Sequence, residues 1–356
     1  MQEITHISPK VSVIVPVYDV EKYIEKCSRS LFEQTLEDME FIFVDDCSPD
    51  NSITILLSVL SEYPNRMNQV HIIRHNLNQG LTSARNSGIA VAKGTFIAHC
   101  DSDDWVKPTM YEELYDKAQQ TSADVVFCNI LMVYNTNTSI FDSVSLGVST
   151  CQTLNNYIKL PWTCTVNMIV HRDLYELNGI RAPQGVSYCE DYHLTVRLLY
   201  FAKRIEKIDK AFYCYNRINE TSILHRPNIR FLDDRCWCDK DIISFFNKRG
   251  VLHEYEASIA CRVLNYKQYW IDKLELWDRF ISFCPELHQY ISEVPHISWI
   301  RRLAMKNLYR KRYLLPYMFV IKRAIKKCFR KIISKAKHIG YLVKSCYVEI
   351  NDEAMS

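Results

Sequence analysis

The sequence of 356 residues holds 14 cysteines yet no Cys-x-x-Cys pair. Thiols scattered from Cys27 to Cys346 without that spacing exclude a zinc ribbon or finger, and they are expected to be reduced and mostly buried. The nearest pair, Cys236-Trp-Cys238, reads as two ordinary helix positions. Long hydrophobic runs are also missing. The run from Leu314 to Ile321 spans eight residues and contains Pro316, whereas crossing a bilayer takes about 20 apolar residues. The opening MQEITHISPK has no basic flank followed by an apolar run, so a cytoplasmic protein is expected. No internal repeat or low-complexity tract is evident. With 48% hydrophobic and 24% charged residues, disordered and collagen-like chains are excluded, and the length suits one large core plus a second unit. Acidic residues are absent from 294–348, where 15 basic residues lie between Arg301 and Lys344. The rest of the chain carries 29 basic against 41 acidic residues, so the formal net charge of +3 hides a polarised molecule.

Residues 11–134 alternate apolar runs rich in β-branched and aromatic residues with amphipathic stretches. VSVIVP is followed by helix-like 20–35, EFIFVDD by 51–62, VHIIRH by 79–93 and TFIAHCD by 108–122, before DVVFCNILMVY. This alternation predicts an α/β fold with a mostly parallel sheet and helices on both faces. Ligands of such sheets bind beyond the carboxyl ends of the strands. Further on, NTNTSIFDSVSLG reads as a polar loop or hairpin, 152–160 as a short helix, VNMIV as a possible strand and DYHLTVRLLYFA as a helix. Beyond about 228 only helical patterns remain, which divides the chain into 8–227 and a helical region 228–356.

The strand ends are acidic. Asp101-Ser102-Asp103-Asp104 sets three carboxylates within four residues, a crowding that a hard divalent cation with oxygen ligands relieves. The blander reading is an exposed acidic turn capping the helix after Pro108. Asp45-Asp46 forms a second pair at the same edge, where a carboxylate could accept a uracil imide N–H or a ribose hydroxyl. Asp46 to Asn51 also fits a turn that caps the helix beginning near Ser52. Arg85 falls on the first turns of a helix that starts at this edge, placed either for a phosphate or for the acidic cluster. Glu190-Asp191 precedes a helix, where capping is the ordinary role of a carboxylate.

Four linked stretches, VSVIVPVYDVEKYIEKCSRSLFEQT, EFIFVDDCSPDNS, RHNLNQGLTSARNSGIAVAKGTFIAHCDSDDWVKP and GVSYCEDYHL, resemble the inverting family 2 glycosyltransferases of GT-A fold over roughly residues 8–215. The resemblance implies a Rossmann-like catalytic domain in which Pro16 and Tyr18 cradle the nucleobase and Asp46 binds it. Asn76 and Arg85 would add donor contacts. Asp101 and Asp103 match the DxD motif, one near the ribose and the other on a Mn2+ or Mg2+ ion bridging the diphosphate, with Asp104 assisting either. Asp191, beside Glu190, matches the catalytic base. Arg217 and Ser222 resemble a segment that closes over the diphosphate. Two positions depart from the family pattern: Asp19 stands where Asn is usual, and Met168 where many relatives carry Lys.

The implied reaction moves a sugar from a nucleotide-sugar donor, UDP-sugar favoured, to a hydroxyl of a glycan or lipid-linked glycan. The alternative is a non-catalytic nucleotide-binding or membrane-attached scaffold of the same fold. A nucleotidylyltransferase is disfavoured by the missing Gly-rich, Lys-containing loop after the first strand. Within the basic region at about 301–344, apolar residues recur every three or four positions from Met318 to Val343, and Lys322, Arg323, Lys326, Lys327, Arg330, Lys331, Lys335 and Lys337 fill the other face. This is the period of a cationic amphipathic helix, suited to the anionic face of a membrane or to packing on the protein; nucleic acid is not the expected partner.

Overall fold

The apolar runs become strands of one nine-stranded sheet in a computed structural model that describes residues 8–219 and 229–328. β1 (Val11–Val17), β2 (Met39–Asp45), β3 (Val70–Arg74) and β4 (Phe96–His99) lie parallel in the order β3-β2-β1-β4. Between them run α1 (Ile24–Phe32), α2 (Ser52–Ser61) and α3 (Leu81–Val91). In α1, Ile24, Cys27, Ser28, Leu31 and Phe32 are buried, the spacing of one helical face. On one side of the sheet Val11, Val13, Val15, Val17, Phe41 and Phe43 share a core with α1 and α2. On the other, α3 approaches β1 so closely that a Cβ on Gly88 would run into Ile14. Burial on both faces is why these strands read as continuous apolar runs.

Beyond β4 the sheet departs from simple alternation. After β5 (Trp105–Val106) and α4 (Met110–Thr121), β6 (Val125–Val133) does not pair with β4. β8 (Met168–His171) is inserted antiparallel to both. The polar stretch after β6 is a hairpin, with β7 (Thr138–Phe141) antiparallel to β6, and α5 (Thr150–Ile158) and α6 (Arg172–Glu176) flank β8. Following α7 (Glu190–Phe201), the long strand β9 (Ile205–Asn216) runs parallel to β6 and antiparallel to the two-residue β5. The sheet is thus parallel in its first half and mixed in its second.

The chain forms two compact units, one ending at Ile259 and one beginning at Ala260, within α9 (Leu252–Lys267). α8 (Ile229–Lys248), which the sequence pattern assigns to the C-terminal region, therefore belongs to the first unit. A polar cluster explains the grouping: Asp241 of α8 accepts from His193 Nε2 of α7 at 2.8 Å and from Arg197 of the same helix. The second unit contains α10 (Trp277–Ser282), α11 (Trp299–Tyr309) and a helix, α12, over 314–328. No disulfide forms among the described residues, and of their cysteines only Cys47 and Cys328 are exposed.

Candidate active site

The carboxyl ends of β1, β2, β3 and β4 lie side by side, and backbone bonds lock their exits together. Asp46 N–H donates to Val17 O at 3.0 Å, His75 N–H to Asp45 O at 2.9 Å, and Cys100 N–H to Ile14 O at 3.0 Å. Three loops here turn through left-handed backbone at residues other than glycine: Asp19 (φ 54), Cys47 (φ 59) and Cys189 (φ 66). Each adjoins a predicted site residue, and strain of this kind gathers where surrounding structure over-determines the chain. Asp is among the residues that tolerate this region, as is the Asn usual at position 19.

Pro16 is buried within β1, opposite Val44, whereas Tyr18 just beyond it is 46% exposed. Asp46 is buried, and its carboxylate organises the backbone. Oδ1 accepts from Gln79 N–H at 2.8 Å and pairs with His75 Nδ1 at 2.7 Å, while Oδ2 accepts from Gly80 N–H at 2.7 Å. Gly80 takes φ 88 at the start of α3, so Asp46 fixes where that helix begins. Asn76 is exposed at the end of β3.

Arg85 is the centre of the site. Only 1% of its side chain is exposed, and it joins three carboxylates that are distant in sequence. Nη1 donates to Glu190 Oε1 at 3.0 Å and Asp191 Oδ1 at 2.5 Å, and Nη2 donates to Asp101 Oδ1 at 3.0 Å. These contacts are those of a salt-bridge partner for the acidic cluster. Burial opposes its charge, but Asp191, Asp101 and Glu190 outweigh that and hold it protonated. Burial, reinforced by Asp191, raises the Glu190 carboxyl to about 8. Asp191 is also raised by burial, with Arg85 opposing. Neither carboxylate caps α7, since its N-cap residue is Cys189 and no side chain bonds there. Asp191 Oδ1 additionally accepts from Thr165 Oγ at 3.1 Å. Oδ2 accepts no hydrogen bond from the described residues, and 21% of the side chain is exposed.

The three aspartates after β4 diverge. Asp101 keeps 30% of its side chain exposed beside Arg85. Asp103 is raised to about 6 by burial and by the neighbouring Asp101 charge, and Asn219 Nδ2 donates to its Oδ2 at 2.7 Å. Asp104 turns the other way. Its Oδ1 accepts from Asn216 N–H at 2.7 Å and its Oδ2 from Tyr213 O–H at 2.7 Å, so it fastens β9 to the β4 exit. Tyr213 also accepts from Asp101 N–H at 3.1 Å. Among the described residues no group of three or more His, Cys, Asp or Glu side chains is arranged to hold a metal. Asp101 and Asp103 still fit a hard cation, because such ions take one or two carboxylates and complete their shell with substrate oxygens, and because a cation would offset both the burial and the Asp101 charge that raise Asp103.

Arg217 follows β9 directly, with its guanidinium 5.8 Å from the Tyr215 ring centre. Ser222 lies outside the described residues. Met168 is buried in β8. Sequence reasoning missed Thr165, Tyr213, Asn216 and Asn219. The asparagines flank Arg217 in the YNRIN stretch, which supplied a local signal, whereas nothing adjacent in sequence marks Thr165.

Acidic strand ends, an Asp-x-Asp turn and a buried Glu-Asp pair meet at one edge of a sheet of GT-A fold. A model of the family described as Glycosyl transferase family 2 matches residues 12–177. The glycosyltransferase EpsJ of Bacillus subtilis (strain 168) is 30% identical over 68% of this chain and 71% of its own length. EpsH of the same organism is 31% identical over 71% and 73%. Among solved structures, S. aureus TarS residues 1–349 in complex with UDP-GlcNAc superposes with a TM-score of 0.67 at 21% identity, over 89% of this chain and 92% of that one. The mannosyltransferase PcManGT from Pyrobaculum calidifontis, in complex with GDP-Man and Mn2+, gives 0.51 at 16% identity over 92% and 89%. The chain belongs to glycosyltransferase family 2.

Proposed function

We propose that the protein transfers a sugar, hexosyl or N-acetylhexosaminyl, from a nucleotide donor to a hydroxyl of a glycan with inversion at the anomeric carbon. UDP is the favoured nucleotide, and the acceptor is a glycan or lipid-linked glycan. One observation carries the reading: Arg85 gathers Asp101 of the metal-binding turn and Asp191 of the Glu-Asp pair onto one guanidinium. Arg85 and Thr165 together hold Asp191 Oδ1 and leave Oδ2 to act. Oδ2 takes the proton of the acceptor hydroxyl as that oxygen attacks the anomeric carbon opposite the nucleotide. The bond from that carbon to the diphosphate breaks, and its electron pair leaves with the nucleotide.

A carboxylate in water is a weak base, and the burial that raises Asp191 strengthens it. Burial, reinforced by Asp191, raises Glu190 as well, which lessens the negative charge it adds beside the base. Asp101 and Asp103 would hold the Mn2+ or Mg2+ ion, which supplies charge stabilisation to the departing diphosphate. Pro16, Tyr18, Asn76 and Arg217 remain the proposed donor-side contacts, with Asp46 shaping the loop beneath them. Surface attachment through the basic region would suit a lipid-linked acceptor; no described helix is long and apolar enough to cross a membrane.

The test combines thermal stabilisation by a panel of nucleotide-sugars, with and without Mn2+, and turnover. Asp191→Asn is expected to lower kcat by about 10²–10⁴-fold, the range of a general base, with the donor-induced shift kept. Asp103→Ala is expected to lose the Mn2+-dependent part of that shift. Retained turnover in the first variant, or an unchanged Mn2+ effect in the second, removes the corresponding role.

A further inference from the structure

Within the second unit, a cleft of about 390 Å³ is lined by residues of α11 and α12 together with Asp272. Phe319, Lys322, Arg323 and Lys326 come from α12 at the i, i+3, i+4, i+7 spacing of one helix stripe. Arg301 of α11 also lines it. Its guanidinium donates to Gln268 O at 2.7 Å and Asp272 Oδ2 at 3.0 Å, and lies within 5.4 Å of the Tyr269 ring centre and 5.1 Å of the Phe319 ring centre. Asp272 is thereby matched, and Arg323 comes within 3.5 Å of its carbonyl oxygen. Lys322 and Lys326 form no ion pair with the described residues. Ser298, at the start of α11, leaves its hydroxyl uncommitted to capping. With Arg301 paired to Asp272, the three exposed cations Lys322, Arg323 and Lys326 share one concave surface, where an anion between them lowers their mutual repulsion.

A second stripe on α12 is apolar and open to solvent. Leu314 is 85% exposed, Met318 62%, Ile321 55% and Ile325 51%. It lies about one-third of a turn around the helix from the cationic stripe, given the ~100° between successive residues. A helix that sinks such a row into a bilayer holds its flanking cations at the depth of the lipid phosphates.

We propose that this cleft binds the phosphodiester headgroup of an anionic bilayer lipid, with Lys322, Arg323 and Lys326 on the phosphate, Ser298 donating to it, and the Leu314–Ile325 row inserted beside it. The assignment deepens the membrane part of the proposed function by adding a discrete phosphate site, and it is independent of the chemistry at Asp191.

Full-chain protein is sedimented with phosphatidylcholine vesicles with or without phosphatidylglycerol. Two double variants of equal charge change are compared: Lys322→Ala with Lys326→Ala in the cleft, and Arg312→Ala with Lys327→Ala, which are exposed and outside it. Thermal melting verifies that both fold. General attraction to an anionic surface predicts about a thirtyfold loss for either pair, at about fivefold per basic residue. The cleft predicts at least about tenfold more loss for the first pair than for the second. Equal losses would overturn the phosphate site while leaving membrane attraction standing. Wild-type protein that ignores phosphatidylglycerol would overturn both. Protection by inorganic phosphate without any preference for anionic vesicles would overturn the lipid assignment.

Discussion

Arg85 sets the electrostatics of the site because each of its carboxylate partners has a different fate. Glu190 is raised by burial from 4.5 to about 8, so between those values the folded protein holds a proton that the unfolded chain has released. Its contribution to stability is fully present below the unfolded value and falls as pH rises toward the folded one, by up to about 1.4 kcal/mol per pH unit. Urea unfolding at intervals from pH 5 to 8 is expected to give a flatter stability curve for Glu190→Gln than for the wild type. Thr165 is a positioning residue, acting through Asp191. Thr165→Val removes a hydrogen bond that favours the ionised base, so the acidic limb of kcat against pH is expected to move to higher pH, with donor KM unchanged. An unmoved limb would leave Thr165 with a packing role alone. Arg85 was legible as a cation placed for the acidic cluster that holds Asp101, but its pairing with Glu190 and Asp191 was not, since Asp191 lies 106 residues away in sequence.

At the scale of elements, α3 carries Arg85, and its distance from the sheet decides whether that guanidinium reaches Asp101 and Asp191. Gly88, one turn further along, permits the close approach to Ile14. Gly88→Ala is expected to cost about 1–3 kcal/mol, the range for overpacking a filled core, and to lower turnover beyond what the stability loss accounts for. Denaturant titration alongside kinetics below the melting range separates the two effects. The first four strands and their helices were legible because both faces of a parallel sheet are buried and each β-α step is local. The second half was not. β5 is two residues long and is defined by its pairing with β9, and the insertion of β8 between β4 and β6 is set by tertiary packing.

At the scale of the whole molecule, the chain separates a largely acidic body of sequence from a basic C-terminal stretch. α12 gives part of that stretch a form, with one cationic and one apolar stripe; Arg330, Lys331, Lys335, Lys337 and Lys344 lie outside the described residues. Electrostatic attraction weakens as the Debye length shrinks from about 10 Å at 0.1 M salt to 3 Å at 1 M, whereas insertion of apolar side chains does not. Sedimentation with anionic vesicles across that salt range is therefore expected to fall steeply and then level off above the vesicle-free background, at the value for neutral vesicles. A fall to the vesicle-free background would mean that the apolar row stays out of the bilayer.

The sequence by itself determined the family, the β-α order of the first half and the acidic composition of the strand ends, because hydrophobic period and motif spacing are local properties of the chain. Tertiary structure alone decided how those acids divide their work. Asp104 and Asp46 spend their oxygens on the backbone and on neighbouring side chains, while Asp101 and Asp191 share one buried guanidinium. Residues with the same carboxylate chemistry differ only in which donors the folded chain brings within about 3 Å of them, and that proximity is a product of packing rather than of sequence spacing.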